Sequence, residues 1–473
     1  MSLWLEDANT GPGPSPPDAD RSRLGPGAVR AYDIRGRVGP EIHAQGARAL
    51  GLSYAAVARG QGVRRVGVGR DGRRSSGELE GALVEGLVAG GLEVVRIGLG
   101  PTPMLTFAVR ELRLDGAVMV TASHNPPDEN GFKLQIAGAR VHGEALKRLT
   151  ATQGTAAPGG AVRNRRVLGR YVEALAAEAQ GLKPLRVAWD CGNGATGVVV
   201  ERLVGRLPGR HLLLHARVDG RFPNHHPDPA VAENLADLAE AVRADGCDLG
   251  VAFDGDGDRI GVVDGEGEVL WADQLMLLLA GDLLALEPGA SVVADVKCSR
   301  VLFQGVEALG GRALVAPSGY VHVREAMLRE GAALAGELSG HIFFAGAWHG
   351  VDDAIYAALR TLRAASRLEG GIAAFRAGLP RTFATPELRV PCPEPRKAEV
   401  VREVAGRTAG AGGVLEPALG LRVITADGWW LLRASGTEPK LTCRCEASTP
   451  EGLERLKASL RFQLELSGIR LAG

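Results

Sequence analysis

The chain has no surplus of charge: its 55 lysines and arginines are matched by 55 aspartates and glutamates. A nucleic-acid binder would carry a basic excess, so that class of partner is excluded. Apolar runs long enough to span a bilayer are also missing, which argues against a membrane-spanning helix. The opening residues Met1-Ser-Leu-Trp-Leu-Glu-Asp7 show neither the basic segment nor the apolar segment of an export signal. Cysteine is scarce, with six in 473 residues (Cys191, Cys247, Cys298, Cys392, Cys443 and Cys445), and no Cys-x-x-Cys pair occurs. Zinc held by cysteine is therefore not expected, and buried free thiols place the protein in the cytoplasm. Cys443 and Cys445 lie in an alternating stretch that puts both thiols on one strand face.

What is present points to a multidomain α/β protein. Hydrophobic residues make up 45% of the chain, enough for several cores, and the length suggests about three domains at ~150 residues each. Glycine fills 66 of 473 positions, about double the usual ~7%, as many tight strand-to-helix turns require. Three short apolar runs close on aspartate: Val66 to Asp71, Val187 to Asp190 and Val292 to Asp295. Each is followed by a second run, Val118 to Val120, Val251 to Phe253 and Leu334 to Ala335, that opens into a strongly polar loop. Amphipathic stretches between them, such as Pro40 to Arg59, Ser76 to Gly90 and Asn234 to Ala244, read as helices. This alternation predicts parallel sheets with right-handed crossovers, repeated three times. The last hundred residues alternate in shorter runs before one helical stretch, Pro450 to Leu466, and read as a smaller α+β domain. The expected division is a disordered, proline-rich tail (1–27), α/β domains at 28–160, 161–265 and 266–380, and an α+β domain at 381–473.

The polar loops carry the chemistry. Thr121-Ala-Ser-His-Asn-Pro126 follows a buried strand, the position where open α/β sheets bind ligands. Ser123 there can serve as a nucleophile or carrier of a covalent group, although an Asn-Pro turn with capping side chains has the same composition. Asp254-Gly-Asp-Gly-Asp-Arg259 crowds three carboxylates that repel unless a cation sits among them, and oxygen ligands suit Mg²⁺ or Ca²⁺. An EF-hand is ruled out, because its sixth and twelfth places are Arg259 and Gly265 here. Gly336-Glu-Leu-Ser-Gly-His341 offers a carboxylate and a hydroxyl able to bond neighbouring sugar hydroxyls, or equally to cap a helix. Arg433-Ala-Ser-Gly-Thr-Glu-Pro439 has the donors of an anion site without a Walker lysine. The adjacent histidines of Phe222-Pro-Asn-His-His-Pro-Asp228 read as a structural loop, since neighbours in sequence rarely ligate one ion together. A possible phosphate carrier, a cation site, a hydroxyl reader and an anion clamp in one chain indicate a phosphorylated sugar as the small-molecule partner.

These motifs, with Ala31-Tyr-Asp-Ile-Arg-Gly36 ahead of them, resemble those of the α-D-phosphohexomutase family, most closely its phosphomannomutase/phosphoglucomutase branch. The resemblance covers nearly the whole chain beyond the tail. It implies three mixed, largely parallel-sheet α/β domains and a fourth, TBP-like domain around a central cleft. It further implies a phosphoserine at Ser123, with Mg²⁺ held by Asp254, Asp256, Asp258 and the phosphoserine. Hexose 1-phosphate and hexose 6-phosphate would interconvert through a hexose 1,6-bisphosphate that also acts as activator. Lys133, Arg35, Arg259 and His124 would serve the transfer itself. Glu337 and Ser339 would read the sugar, and Arg433, Ser435, Gly436 and Thr437 would grip the idle phosphate, with Tyr32, Lys297 and His341 nearby. Two departures stand out: Gly319-Tyr320 replaces the family's usual Gly-His pair, with His322 two residues on, and Gly436 replaces a common asparagine. The alternatives within this reading are a phosphoglucosamine mutase and a catalytically silent sugar-phosphate binder; the expected assembly is a monomer or homodimer.

Overall fold

A computed structural model describes residues 23–25, 27–410, 413–416, 419–435 and 440–471. Most of the expected tail, residues 1–22 and 26, lies outside the described residues. Packed chain begins earlier than residue 28, because Leu24 lies against the first core and Gly25 N donates to Glu41 O at 2.8 Å.

One four-strand arrangement occurs three times. In the first domain Glu93–Leu99 and Gly116–Val120 flank Arg65–Arg70 in parallel, and Glu129–Ile136 adds to Gly116–Val120 antiparallel. The second repeats it with Gly209–Leu214, Leu185–Asp190, Leu249–Phe253 and Ile260–Asp264, and the third with Arg312–Ala316, Ser291–Asp295, Leu334–Gly336 and Ile342–Phe344. The order reverses at the first strand of each unit. The carboxyl ends of its first and third strands therefore face one crevice, the topological switch point where α/β sheets place ligands. All three polar loops leave from third strands, whose residues are buried because helices cover both faces.

Helices fill the crossovers, for example Ser76–Ala89 and Thr102–Glu111 in the first unit. The first helix runs Ala44–Gly60 rather than from Pro40, because the His43 side chain accepts from Gly46 N at 3.0 Å and sets the start there. Two expected boundaries move. Ala161–Asn164 pairs with Glu93–Leu99, so the first sheet extends past residue 160, and Val269–Leu270 pairs with Ile260–Asp264, so the second extends past 265. A continuous core runs from Leu105 through Trp189 and Phe253 to Ile355, joining the three α/β units.

The C-terminal domain is an antiparallel sheet backed by helices Lys397–Thr408 and Pro450–Glu465, with Trp430, Val404 and Leu460 between them. Its other face lays Trp429 and Leu431 on Val296 of the third unit. Arg444 donates to Lys297 O at 2.8 Å across the same junction. Cys443 and Cys445 share the buried face, and all six thiols are free and buried. Among the described residues no helix is long and apolar enough to cross a membrane.

Candidate active site

Ser123 turns out of the strand Gly116–Val120 with φ 55°, a left-handed conformation that few non-glycine residues adopt. Its hydroxyl, 1% exposed as a residue, donates to Asp254 Oδ2 at 2.6 Å, while His124 Nδ1 lies 3.1 Å from Ser123 Oγ. Burial, reinforced by Arg259, Arg35 and Lys133, holds the His124 imidazole well below its ordinary pKa, so the ring is neutral.

The strained loop is held by residues that the motif reading left out. Arg73, which is buried, donates to Ser123 O at 2.8 Å, Asn125 O at 2.5 Å, Glu129 O at 2.9 Å and Pro126 O, and pairs with Asp71 at 3.2 Å. Asp71, closing the first strand, accepts from Thr121 Oγ1 at 2.7 Å, and that oxygen in turn accepts from Ser123 N at 2.8 Å. The sequence signal was the aspartate ending an apolar run; Arg73 two residues later gave none. Arg35 ties the same loop to the first motif, donating to Asn125 Oδ1 at 2.8 Å, to Ala122 O at 3.1 Å and to Asp33 Oδ2 at 2.7 Å.

The three aspartates are buried and converge, each offering an oxygen within 4.8 Å of the others. Asp254 Oδ1 accepts from the backbone of Asp258 at 3.1 Å and Arg259 at 3.2 Å, folding the loop around it. Lys133 donates to Asp256 Oδ2 at 2.7 Å and to Asp258 Oδ2, and Thr102 donates to Asp256. Burial opposes the Lys133 charge, but Asp256 and Asp258 outweigh it and raise its pKa. Asp256 Oδ1 and Asp258 Oδ1 are buried without a hydrogen-bond partner. Burial, with Asp256 and Asp258 adding, pushes the Asp254 carboxyl far up. Orphaned carboxylate oxygens at this density fit a hard divalent cation. The loop also needs its glycines: a Cβ on Gly255 would stand 2.4 Å from the Ser123 carbonyl oxygen.

The third loop meets the second through Arg259 Nε and His341 Nε2, 3.0 Å apart. His341 Nδ1 lies 3.4 Å from Asp352 Oδ2, and Arg140 donates to Asp352 Oδ1 at 3.2 Å, a buried pair absent from the sequence reading. Glu337 Oε1 accepts from Gly319 N at 2.6 Å and Oε2 from Ser339 Oγ at 3.3 Å, so the two side chains do stand together. Gly319, at φ 125°, leaves no room for a side chain, since a Cβ would stand 2.6 Å from the Tyr32 hydroxyl. Tyr320 stacks on His341 with centroids 5.1 Å apart, and His322 meets Tyr32 edge-on at 5.4 Å.

Tyr32 links the ends of the chain. Burial raises its phenol pKa, Arg433 and Lys297 pull it down and Glu337 pushes it up, so all three flank one hydroxyl. Lys297 also donates to Glu387 Oε2 at 2.9 Å, a second carboxylate not foreseen from the motifs. Ser435 N donates to Lys440 O at 3.0 Å and its carbonyl accepts from Lys397 Nζ at 2.6 Å. Gly436 and Thr437, the rest of the expected clamp, lie outside the described residues.

Comparison with known proteins gives four matches in domain order. Residues 27–155, 169–267 and 271–383 match phosphoglucomutase/phosphomannomutase alpha/beta/alpha domains I, II and III, and 387–461 match the C-terminal domain. A Pseudomonas putida "Phosphomannomutase/phosphoglucomutase" is 42% identical, covering 92% of this chain and 95% of that protein. A Neisseria gonorrhoeae "Phosphoglucomutase" is 38% identical over 92% of this chain and 96% of its own length. The crystal structure of a Burkholderia thailandensis phosphoglucomutase/phosphomannomutase family protein superposes with a TM-score of 0.88 at 37% identity, over 94% of this chain and 98% of that one.

Proposed function

The chain belongs to the phosphoglucomutase/phosphomannomutase family and is a hexose-phosphate mutase; from that premise we propose that Ser123 is its phosphoryl carrier and that mannose and glucose phosphates are its substrates. The observation that carries this reading is the Ser123 hydroxyl 2.6 Å from Asp254, at the edge of a buried three-carboxylate cluster. Asp254, Asp256 and Asp258, with a phosphoserine oxygen, would hold Mg²⁺, which supplies positive charge against the transferring phosphoryl group.

The residues divide the work. Phosphoserine 123 gives its phosphoryl group to the free hydroxyl of a hexose 1-phosphate: the bond from Ser123 Oγ to phosphorus breaks as the new P–O bond forms, and the proton of the sugar hydroxyl ends on the departing serine oxygen. The resulting hexose 1,6-bisphosphate reverses in the cleft and returns its other phosphoryl group to Ser123, whose proton then has Asp254 and neutral His124 beside it. Arg259 offsets charge at the transfer, and Lys133, kept protonated by Asp256 and Asp258, acts as a fixed cation. Arg35 holds the serine loop and so acts chiefly by positioning. Glu337 and Ser339 would read adjacent sugar hydroxyls, and Arg433, Ser435, Gly436 and Thr437 would grip the idle phosphate, with Tyr32, Lys297 and His341 assisting. The enzyme works in the cytoplasm, where its buried thiols stay reduced.

Initial rates on mannose 1-phosphate, glucose 1-phosphate and glucosamine 1-phosphate, with Mg²⁺ and a trace of hexose 1,6-bisphosphate, test the substrate assignment. Comparable rates on the first two, with glucosamine far behind, are expected. A preference for glucosamine would make the enzyme a phosphoglucosamine mutase.

A further inference from the structure

Away from these loops, the second domain gathers another set of ligand-type side chains. Asp190, His215 and His225 bring one carboxylate oxygen and two ring nitrogens within 4.8 Å of one another. Asp190 is fully buried and the two rings are largely shielded. They come from separate stretches: Asp190 ends the strand Leu185–Asp190, His215 follows Gly209–Leu214, and His225 lies in the Phe222–Asp228 loop. The sequence alone reads the Phe222–Asp228 loop as structural; His225 of that loop converges not with its neighbour His226 but with a histidine ten residues upstream.

The hydrogen bonds around His225 are compatible with a shared cation. His225 Nδ1 faces the His226 carbonyl at 3.0 Å and its Nε2 faces Asp190 Oδ2 at 2.9 Å, so both nitrogens meet acceptors. A neutral imidazole has a single N–H. Both contacts are satisfied only if the ring takes a second proton or if Nε2 and the carboxylate share a metal ion. His215 Nε2 lies 3.0 Å from Asp237 Oδ2, a carboxylate placed as the outer partner that orients a metal-ligating ring. His215 also holds φ 48°, an uncommon backbone for a residue other than glycine, and its ring meets His225 edge to face at 5.2 Å.

We propose that Asp190, His215 and His225 form a second metal site, of the two-histidine, one-carboxylate type. Nitrogen ligands suit a borderline ion such as Zn²⁺ and disfavour Mg²⁺, so the site is chemically distinct from the three-aspartate loop. Its role is bracing. Asp190 Oδ1 accepts from Gly192 N at 2.8 Å, Ala195 N donates to Gly255 O at 2.9 Å, and a Cβ on Gly194 would stand 2.9 Å from that same oxygen. An ion fixing Asp190 to two histidines stiffens the turn that backs Gly255, and Gly255 packs on the Ser123 carbonyl.

The test is Co²⁺ titration of the full chain carrying Asp254→Asn, which removes a carboxylate from the other cluster. That variant is expected to bind one Co²⁺ with a visible absorption band, displaced by Zn²⁺ and unaffected by excess Mg²⁺. Adding His215→Asn, an amide that tolerates a positive φ, is expected to abolish the band and the rise in melting temperature that Zn²⁺ gives. If His215→Asn does not fold, Asp237→Asn at the exposed outer carboxylate replaces it, with an expected loss of about ten- to hundredfold in Zn²⁺ affinity. No band in Asp254→Asn, or an undiminished one in the double variant, overturns the proposal.

Discussion

Ser123 Oγ donates to Asp254 Oδ2 at 2.6 Å, joining residues 131 positions apart on the third-strand loops of two consecutive domains. The contact follows from the repeated fold: two units with the same strand order turn the same polar loops toward one crevice. It brings a hydroxyl able to carry a phosphoryl group against carboxylates able to hold the cation that transfer requires.

Close packing at this contact leaves no room for a methyl group. Gly255→Ala places its Cβ 2.4 Å from the Ser123 carbonyl oxygen, a backbone atom that can yield only by moving the serine. A fall of about a hundredfold in kcat is expected, with a smaller change in KM, as for a displacement of roughly 1 Å at a reacting group. Unchanged kcat would show that the position of Ser123 is not set by this contact.

Arg73 is the anchor of the serine loop, through four backbone carbonyls and Asp71. Arg73→Ala leaves Asp71 buried without its cation, so a destabilisation of about 3–5 kcal/mol is expected together with loss of activity. Arg73→Lys should recover little, because an ammonium cannot reproduce the planar fork of donors. Thermal melts and steady-state rates on both variants check this.

Asp352 makes stability depend on pH in a defined direction. Burial pushes its carboxyl up, but Arg140, with His341 and Lys133, outweighs it and holds the pKa at about 2, below the ~3.9 of an unfolded chain. A group depressed in the folded state contributes stability above pH ~4 and loses it as pH falls toward 2, here roughly 2 kcal/mol. Arg140→Leu should therefore melt well below the wild type at pH 7, and the deficit should shrink as pH falls to 3. A deficit independent of pH would mean that the pair contributes through packing alone.

Asp256 Oδ1 and Asp258 Oδ1, buried without partners, predict a requirement for a divalent cation. Exhaustive chelation should stop turnover, and Mg²⁺ should restore it fully. Activity that survives chelation would contradict the cation site.

Much of this architecture was legible because the informative residues sit where physics concentrates them. Apolar strands closing on Asp71, Asp190 and Asp295 and opening into polar loops mark the three units, and the carboxylate spacing from Asp254 to Asp258 marks a cation loop. Arg73 was invisible, since its partners are backbone carbonyls about fifty residues away and an arginine after Asp71-Gly72 reads as solvated loop. The edge strand Ala161–Asn164 was equally silent: all four residues are exposed, so no apolar alternation exists, and backbone pairing alone adds it to the sheet. Glu387 and Asp352 likewise take their meaning from partners in distant segments, Lys297 and Arg140.

The most direct test is to incubate the protein with a hexose 1,6-bisphosphate and map the phosphoryl group by mass spectrometry, beside Ser123→Ala. One phosphoryl group on Ser123 is predicted, discharged by added hexose 1-phosphate. Ser123→Ala should take up none and should lose on the order of 10⁴-fold or more in turnover while melting within a few degrees of the wild type. A phosphoryl group on another residue, or Ser123→Ala turning over at near-normal rate, would contradict the assignment of Ser123 as carrier.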